Sequence, residues 1–170
     1  MKRRVRVCLI GCGSAGMIHA RNYAGNVQNA EIIALCDPFE QSLKAASEEM
    51  TVAYTYQDYK EVMRNPDIDA VIVVTPTQLH KDIVLAAAEA GKHVFCEKPM
   101  AETKEECDEM IAACRKYKVK LQIGFMRRFD RSFRRAKEML ESGKIGDVTM
   151  IKSNTYGPSE PQEWMYDVHK

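Results

Sequence analysis

The sequence lacks any apolar run near the roughly 18 residues that a membrane span requires, so no membrane partner is expected. It also lacks an excess of charge of either sign. Twenty-five basic residues against 24 acidic ones leave a net +1, which gives no field to attract nucleic acid. The basic start, Met1-Lys2-Arg3-Arg4, runs straight into a strand pattern, without the apolar stretch and cleavage site of a signal peptide. A cytoplasmic protein is therefore expected. Of the cysteines Cys8, Cys12, Cys36, Cys96, Cys107 and Cys114, no two stand at C-x-x-C spacing. Four of them sit among apolar residues of expected strands or helices, where reduced thiols behave as small hydrophobes. Neither a structural disulfide nor a metal site is expected. Internal repeats and low-complexity stretches are absent too. What is present is an ordinary globular composition, 45% hydrophobic and 29% charged, in 170 residues. That length suits one full domain and the start of a second.

Along the chain, short apolar runs alternate with helical patterns. Val5 to Ile10 reads as a strand, Ser14 to Ala24 as a helix stopped by Gly25-Asn26, and Glu31 to Cys36 as a second strand. Phe39 to Met50 reads as a helix, Val52 to Tyr54 as a weak strand, and Asp58 to Met63 as a short helix. Ala70 to Val74 is the strongest strand signal, closed by Thr75-Pro76. Thr77 is placed to cap a helix that runs to Ala90, with Gly91 after it. His93 to Cys96 is a fifth strand. Thr103 and Glu106 form a capping box for a helix with Cys107, Ile111, Cys114 and Tyr117 on one face. Val119 to Phe125 is a sixth strand. This alternation predicts an α/β fold, a doubly wound parallel sheet with helices on both faces over residues 1–125. Arg127 to Leu140 reads as a connecting helix with a stripe of Phe129, Phe133, Ala136 and Leu140. Arg128, Arg131, Arg134 and Arg135 lie mostly off that stripe, on a solvated face or inter-domain contact. Asp147 to Tyr156 reads as the first strand of an incomplete second domain spanning 126–170.

Gly11-Cys12-Gly13-Ser14-Ala15-Gly16 matches G-x-G-x-x-G, directly after the first strand and opening the first helix. In that context the first glycine serves a tight turn, the second close approach of a pyrophosphate, and the third helix–strand packing. Free amides and the helix dipole favour an anion there. Taken alone, the pattern is also that of a plain glycine turn. Asp37 ends the second strand 21 residues after Gly16. A carboxylate there accepts hydrogen bonds from the adenosine ribose and repels a 2′-phosphate, so NAD is expected rather than NADP. A strand-end Asp-Pro turn is compatible with the same residue. An S-adenosylmethionine site is the rival; the three-glycine spacing argues against it. Cys12 is read as a small loop residue.

Ligands of open α/β sheets gather at the carboxyl ends of the strands. Thr75-Pro76 and Glu97-Lys98-Pro99 occupy that edge. Lys98 is the only lysine directly following a central strand, and a lysine beside a substrate hydroxyl can relay its proton while hydride leaves. On pattern alone, a surface lysine in a loop is the better reading. His80 is given a structural or cofactor-contacting role.

Taken in order, Gly11 to Gly16, Thr75-Pro76-Thr77-Gln78-Leu79-His80, Glu97-Lys98-Pro99 and Gly124-Phe125-Met126-Arg127-Arg128-Phe129-Asp130 resemble the glucose–fructose oxidoreductase/inositol dehydrogenase/MocA family. With Gly143-Lys144-Ile145-Gly146, the likeness is strongest to its inositol 2-dehydrogenase branch, over about residues 4–150. The resemblance implies a Rossmann domain followed by an α/β substrate domain, an NAD-dependent dehydrogenase of sugars or cyclitols, and a homo-oligomer at full length. It implies Lys98 as the catalytic lysine. The expected cofactor set is Gly11, Gly13, Ser14, Ala15, Gly16, Met17, Asp37, Thr75, Pro76, His80, Glu97 and Lys98, with no metal. The family's later Asp-x-x-x-His motif has no match, since Asp167-Val168-His169 has the wrong spacing. Ser153-Asn154-Thr155-Tyr156 stands where the family has Ser-Arg-Asp. This span alone is expected to bind cofactor and turn over little. A non-catalytic NAD(H)-binding module or redox sensor is the alternative.

Overall fold

The computed structural model describes residues 3–154. The chain divides into two compact units, Met1–Phe125 and Met126–Lys170. In the first, strands β1 (Val5–Ile10), β2 (Ala30–Cys36), β3 (Tyr54–Tyr56), β4 (Ala70–Val73), β5 (His93–Cys96) and β6 (Leu121–Ile123) alternate with helices α1 (Ser14–Asn26), α2 (Glu40–Glu49), α3 (Tyr59–Arg64), α4 (His80–Glu89) and α5 (Lys104–Lys116). The strands form one parallel sheet in the order β3-β2-β1-β4-β5-β6. The chain builds outward from β1 to β3, then returns to lay β4 on the other side of β1. The reversal opens a crevice between the carboxyl ends of β1 and β4.

Strand alternation divides the core between the two faces. Cys8, Ile10, Cys36, Val71 and Val73 pack with Ile83 and Val84 of α4 and with Met110 and Cys114 of α5. Val7, Leu9, Leu35 and Ile72 pack on the other side with Met17 and Ala20 of α1 and Leu43 and Ala46 of α2. Leu9, Leu35 and Ile72 are fully buried, each contributing about 1.5–3 kcal/mol of apolar burial. All six cysteines are free thiols, five of them buried.

Several local expectations are corrected. Thr77 caps no helix: Thr77–Leu79 form a 3-10 turn, with Leu79 N donating to Pro76 O, and α4 begins only at His80. Helix α1 runs through Gly25 and Asn26, since a glycine in helical conformation weakens a helix without ending it. Strand β3 sits two residues later than expected, set by the pairing of Tyr54 to Tyr56 with Ala34 to Cys36. The buried face of α5 centres on Met110 and Cys114; Cys107 and Ile111 are half-buried and Tyr117 is exposed. Thr103 and Glu106 do form the capping box.

In the second unit a 3-10 turn, Met126–Arg128, precedes helix α6 (Arg131–Glu141). The expected helix start at Arg127 moves because Asp130 takes the N-cap, accepting from Ser132 N and Phe133 N. No residue of α6 is buried, and Phe129, Phe133 and Leu140 are exposed. Residues 147–154 form no strand, since no described segment pairs with them; Thr155 and Tyr156 lie outside the described residues. Asp167 to His169 lie outside them as well. Among the described residues no helix is long and apolar enough to cross a membrane.

Candidate functional site

The glycine loop sits at the crevice between β1 and β4, and its three glycines answer three different demands. Gly11 has φ +99°, and a Cβ there would stand 2.3 Å from Val74 O. A Cβ on Gly16 would stand 1.9 Å from Gly11 O. Both are required by the fold, since neither contact can be accommodated. Gly13 differs: its φ of −69° suits any residue, and a Cβ would meet nothing within 4 Å. The protein itself gives no reason for a glycine at 13. A ligand passing close to the backbone does.

Gly13 is the N-cap of α1, and no side chain caps that helix or places an acid in its first turn. The first backbone bond runs from Met17 N to Gly13 O, leaving the amides ahead of it without intrahelical partners. Ser14 and Ala15 are exposed beside them. An unsatisfied, dipole-positive helix end in an open crevice fits a diphosphate. Met17 offers no free polar group, though it edges the cleft beside the loop. Its side chain lies in the core and its amide is already engaged, because position 17 begins the helix's buried stripe.

Asp37 is only 6% exposed and holds the loop in place. Its Oδ2 accepts from Cys12 N at 2.8 Å, and its Oδ1 accepts from Phe39 N at 2.9 Å. Each oxygen retains a further acceptor site, so ribose hydroxyls can be bonded as well. Burial, with the Asp37 charge adding to it, pushes the Cys12 thiol up to about 12, which keeps it protonated and no nucleophile. A cleft of about 430 Å³ adjoins the loop, lined by Cys12, Gly13, Ser14, Met17, Gln41 and Ala46 among others.

Thr75, Glu97 and Lys98 come to the same edge. Thr75 Oγ1 is buried and, among the described residues, has no hydrogen-bond partner. Such an orphan usually has a ligand or water to satisfy it. Pro76 and Lys98 are exposed, and the Lys98–Pro99 peptide is cis. His80, 1% exposed, has its two ring nitrogens 2.8 Å from Pro99 O and 2.9 Å from Thr75 O. A neutral imidazole donates to one of these carbonyls at a time, and with a carbonyl against each nitrogen the ring is packed between the two loops. Glu97 Oε1 accepts from His19 Nε2 at 2.9 Å, and Oε2 accepts from Lys98 N at 3.0 Å. Sequence reasoning passed over His19. The one available signal is a polar residue flanking the buried Met17 and Ala20 of α1.

Comparison with known proteins places this geometry. Residues 5–125 match the family model described as "Oxidoreductase family, NAD-binding Rossmann fold", GFO_IDH_MocA. The chain belongs to this family. It is 38% identical over 157 residues to the myo-inositol 2-dehydrogenase of Thermotoga maritima, covering 92% of this chain and 47% of that protein. It is 35% identical over 161 residues to the scyllo-inositol 2-dehydrogenase (NAD(+)) of Bacillus subtilis, covering 95% and 47%. The crystal structure of scyllo-inositol dehydrogenase from Lactobacillus casei with bound NAD(H) and scyllo-inositol superposes with a TM-score of 0.82. The two are 36% identical, over 86% of this chain and 44% of that one. The chain thus spans about half the length of the relatives it matches. Its first unit is an NAD-binding Rossmann domain of an oxidoreductase family.

Proposed function

We propose that this chain is the cofactor-binding part of an NAD-dependent dehydrogenase that oxidises a cyclitol or sugar hydroxyl. The observation that carries the reading is Gly13, a glycine that the fold does not need, at an uncapped helix end on the same sheet edge as Asp37 and Lys98. Inositol dehydrogenases among the relatives give the substrate class.

When bound, NAD supplies the hydride acceptor. The amides of Gly13 to Gly16 hold its diphosphate, and the remaining acceptor sites of Asp37 take the adenosine ribose hydroxyls. A 2′-phosphate would meet that carboxylate, which sets NAD above NADP. Thr75 Oγ1 bonds the cofactor's sugar near the crevice. Lys98, whose side chain is exposed on the same edge, stands against the substrate hydroxyl and relays its proton as the carbinol loses hydride.

The test uses the full-length protein that contains this chain, with NAD and a polyol panel including myo-inositol and scyllo-inositol, followed by NADH absorbance. Turnover of a cyclitol, lost in Lys98→Met with NAD affinity retained, is expected. Wild-type turnover in Lys98→Met removes the lysine from the chemistry. NAD binding without turnover of any polyol favours a non-catalytic module.

A further inference from the structure

Lys98 lies in the stretch between β5 and α5, where its exposed side chain depends on the backbone for placement. Both neighbours of that backbone are tethered, each to a histidine on a different helix. Ahead of Lys98, Glu97 turns its carboxylate back, and Oε2 accepts the Lys98 amide at 3.0 Å. Oε1 is held at 2.9 Å by Nε2 of His19, whose ring meets Phe95 edge-on at 5.3 Å. Room for the carboxylate comes from Gly124: a Cβ there would stand 2.9 Å from Glu97 Oε1. Behind Lys98, Pro99 O faces Nδ1 of the buried His80, and the same ring faces Thr75 O.

Both tethers lead back to the glycine loop. His19 rides on α1, the helix that the loop opens. Thr75 N stands 3.2 Å from where a Gly11 Cβ would be, so the β4 loop and the glycine loop are in direct contact. We propose that His19, through Glu97, and His80, through Pro99, are positioning residues that fix Lys98 relative to the cofactor loop. Neither touches the substrate. Placement matters because an error of about 1 Å in a reacting group can cost on the order of 100-fold in rate.

This inference rests on the role assigned to Lys98 above, yet its test does not need chemistry. In the ¹⁵N-labelled chain with NAD⁺ bound, the Lys98 amide is followed by relaxation and hydrogen exchange. Wild type should show a rigid, protected Lys98 amide. His19→Phe, which keeps a ring against Phe95 and removes the donor, should mobilise it, while NAD⁺ affinity changes by less than about threefold. His19→Gln, which retains an N–H donor, should restore rigidity. Gly124→Ala leaves both histidines intact and displaces the Glu97 carboxylate, so it should reproduce His19→Phe. His80→Asn, able to reach only one of the two carbonyls, should loosen Lys98 from the other side. A Lys98 amide as rigid in His19→Phe and Gly124→Ala as in wild type overturns the Glu97 tether. The same result in His80→Asn overturns the Pro99 tether. If Lys98→Met is active, the lysine's chemistry falls and these measurements still stand.

Discussion

The two edges of the sheet treat polar groups in opposite ways. At the amino edge the buried and half-buried charged groups before β1, β4 and β5 have protein partners. Asp69 accepts from Arg3 Nη2 at 2.7 Å and from Arg6 N at 2.9 Å, and Asp67 accepts from Arg6 and from Tyr54 OH. The buried Lys92 ammonium donates to Asn65 O and Ile68 O. A hollow of about 480 Å³ lies there, lined by Arg3, Arg4, Lys92 and others, and its polar walls bond to one another. At the carboxyl edge polar groups stand open: an uncapped helix end, a buried orphan hydroxyl on Thr75, an exposed Lys98. Unsatisfied polar groups destabilise a fold unless something else completes them. The amino edge stabilises the protein; the open groups of the carboxyl edge are those that the proposed function gives to a ligand.

The sharpest way to break that contrast is within the glycine loop. Gly13→Val fills the space a diphosphate would use, and its Cβ meets nothing of the protein within 4 Å. It should lower the melting temperature only slightly, through the poorer N-cap, and weaken NAD by about 100-fold or more in calorimetric titration. Gly16→Ala drives a Cβ onto Gly11 O and should lower the melting temperature as well. Normal NAD binding by a folded Gly13→Val chain would remove the loop from the site.

Asp37 belongs to both edges' logic at once, because it braces the loop and remains open to a ribose. Asp37→Ala should therefore weaken NAD by about tenfold, narrow the gap to NADP, and lower the melting temperature even without cofactor. A change in cofactor preference with no loss of stability would show that the two amide bonds contribute nothing.

Asp69→Ala tests the amino edge alone. It should cost on the order of 1 kcal/mol and leave NAD affinity unchanged. Burial acts to raise the Asp69 carboxyl, but the hydrogen bonds from the Arg6 amide and guanidinium and the charges of Arg3 and Arg6 outweigh it, holding it below its ordinary 3.8. A carboxylate lowered by folding stabilises above its unfolded value, and that contribution fades as pH falls through the folded one. The difference in melting temperature between wild type and Asp69→Ala should be full at pH 7 and shrink below about pH 4. A difference that persists undiminished at pH 3 would rule out the ion pairs as its source.

Much of the carboxyl edge was legible in the sequence because its signals are local. A strand, three spaced glycines and an acid at the end of the next strand are read from neighbours in the chain. His19 with Glu97 and His80 with Pro99 were not legible, since they join residues 78 and 19 positions apart. Their roles depend on the β4 crossover, which the pattern of strands alone leaves open. Met17 was half legible: its closeness to the loop could be read, and it does edge the cleft there, but its place on the buried stripe of α1 needs the packing. In the second unit α6 was legible through its apolar stripe, and Asp130 shifted its start by a local cap. The strand expected at Asp147 failed because strands, unlike helices, take their backbone bonds from elsewhere.

The smallest effect concerns Thr75. Valine matches threonine closely in shape and removes the hydroxyl that has no partner among the described residues. If that hydroxyl is unsatisfied without ligand, its loss should leave the melting temperature of the free chain equal or slightly higher, since a buried orphan costs about 1–3 kcal/mol. The same change should weaken NAD by about fivefold, the size of one net hydrogen bond. The opposite signs are the point. A residue that only stabilises the fold would lose stability and spare the ligand, as Asp69 should. Thr75→Val that lowers the melting temperature and leaves NAD affinity intact would move Thr75 from the open edge's chemistry into the scaffold's.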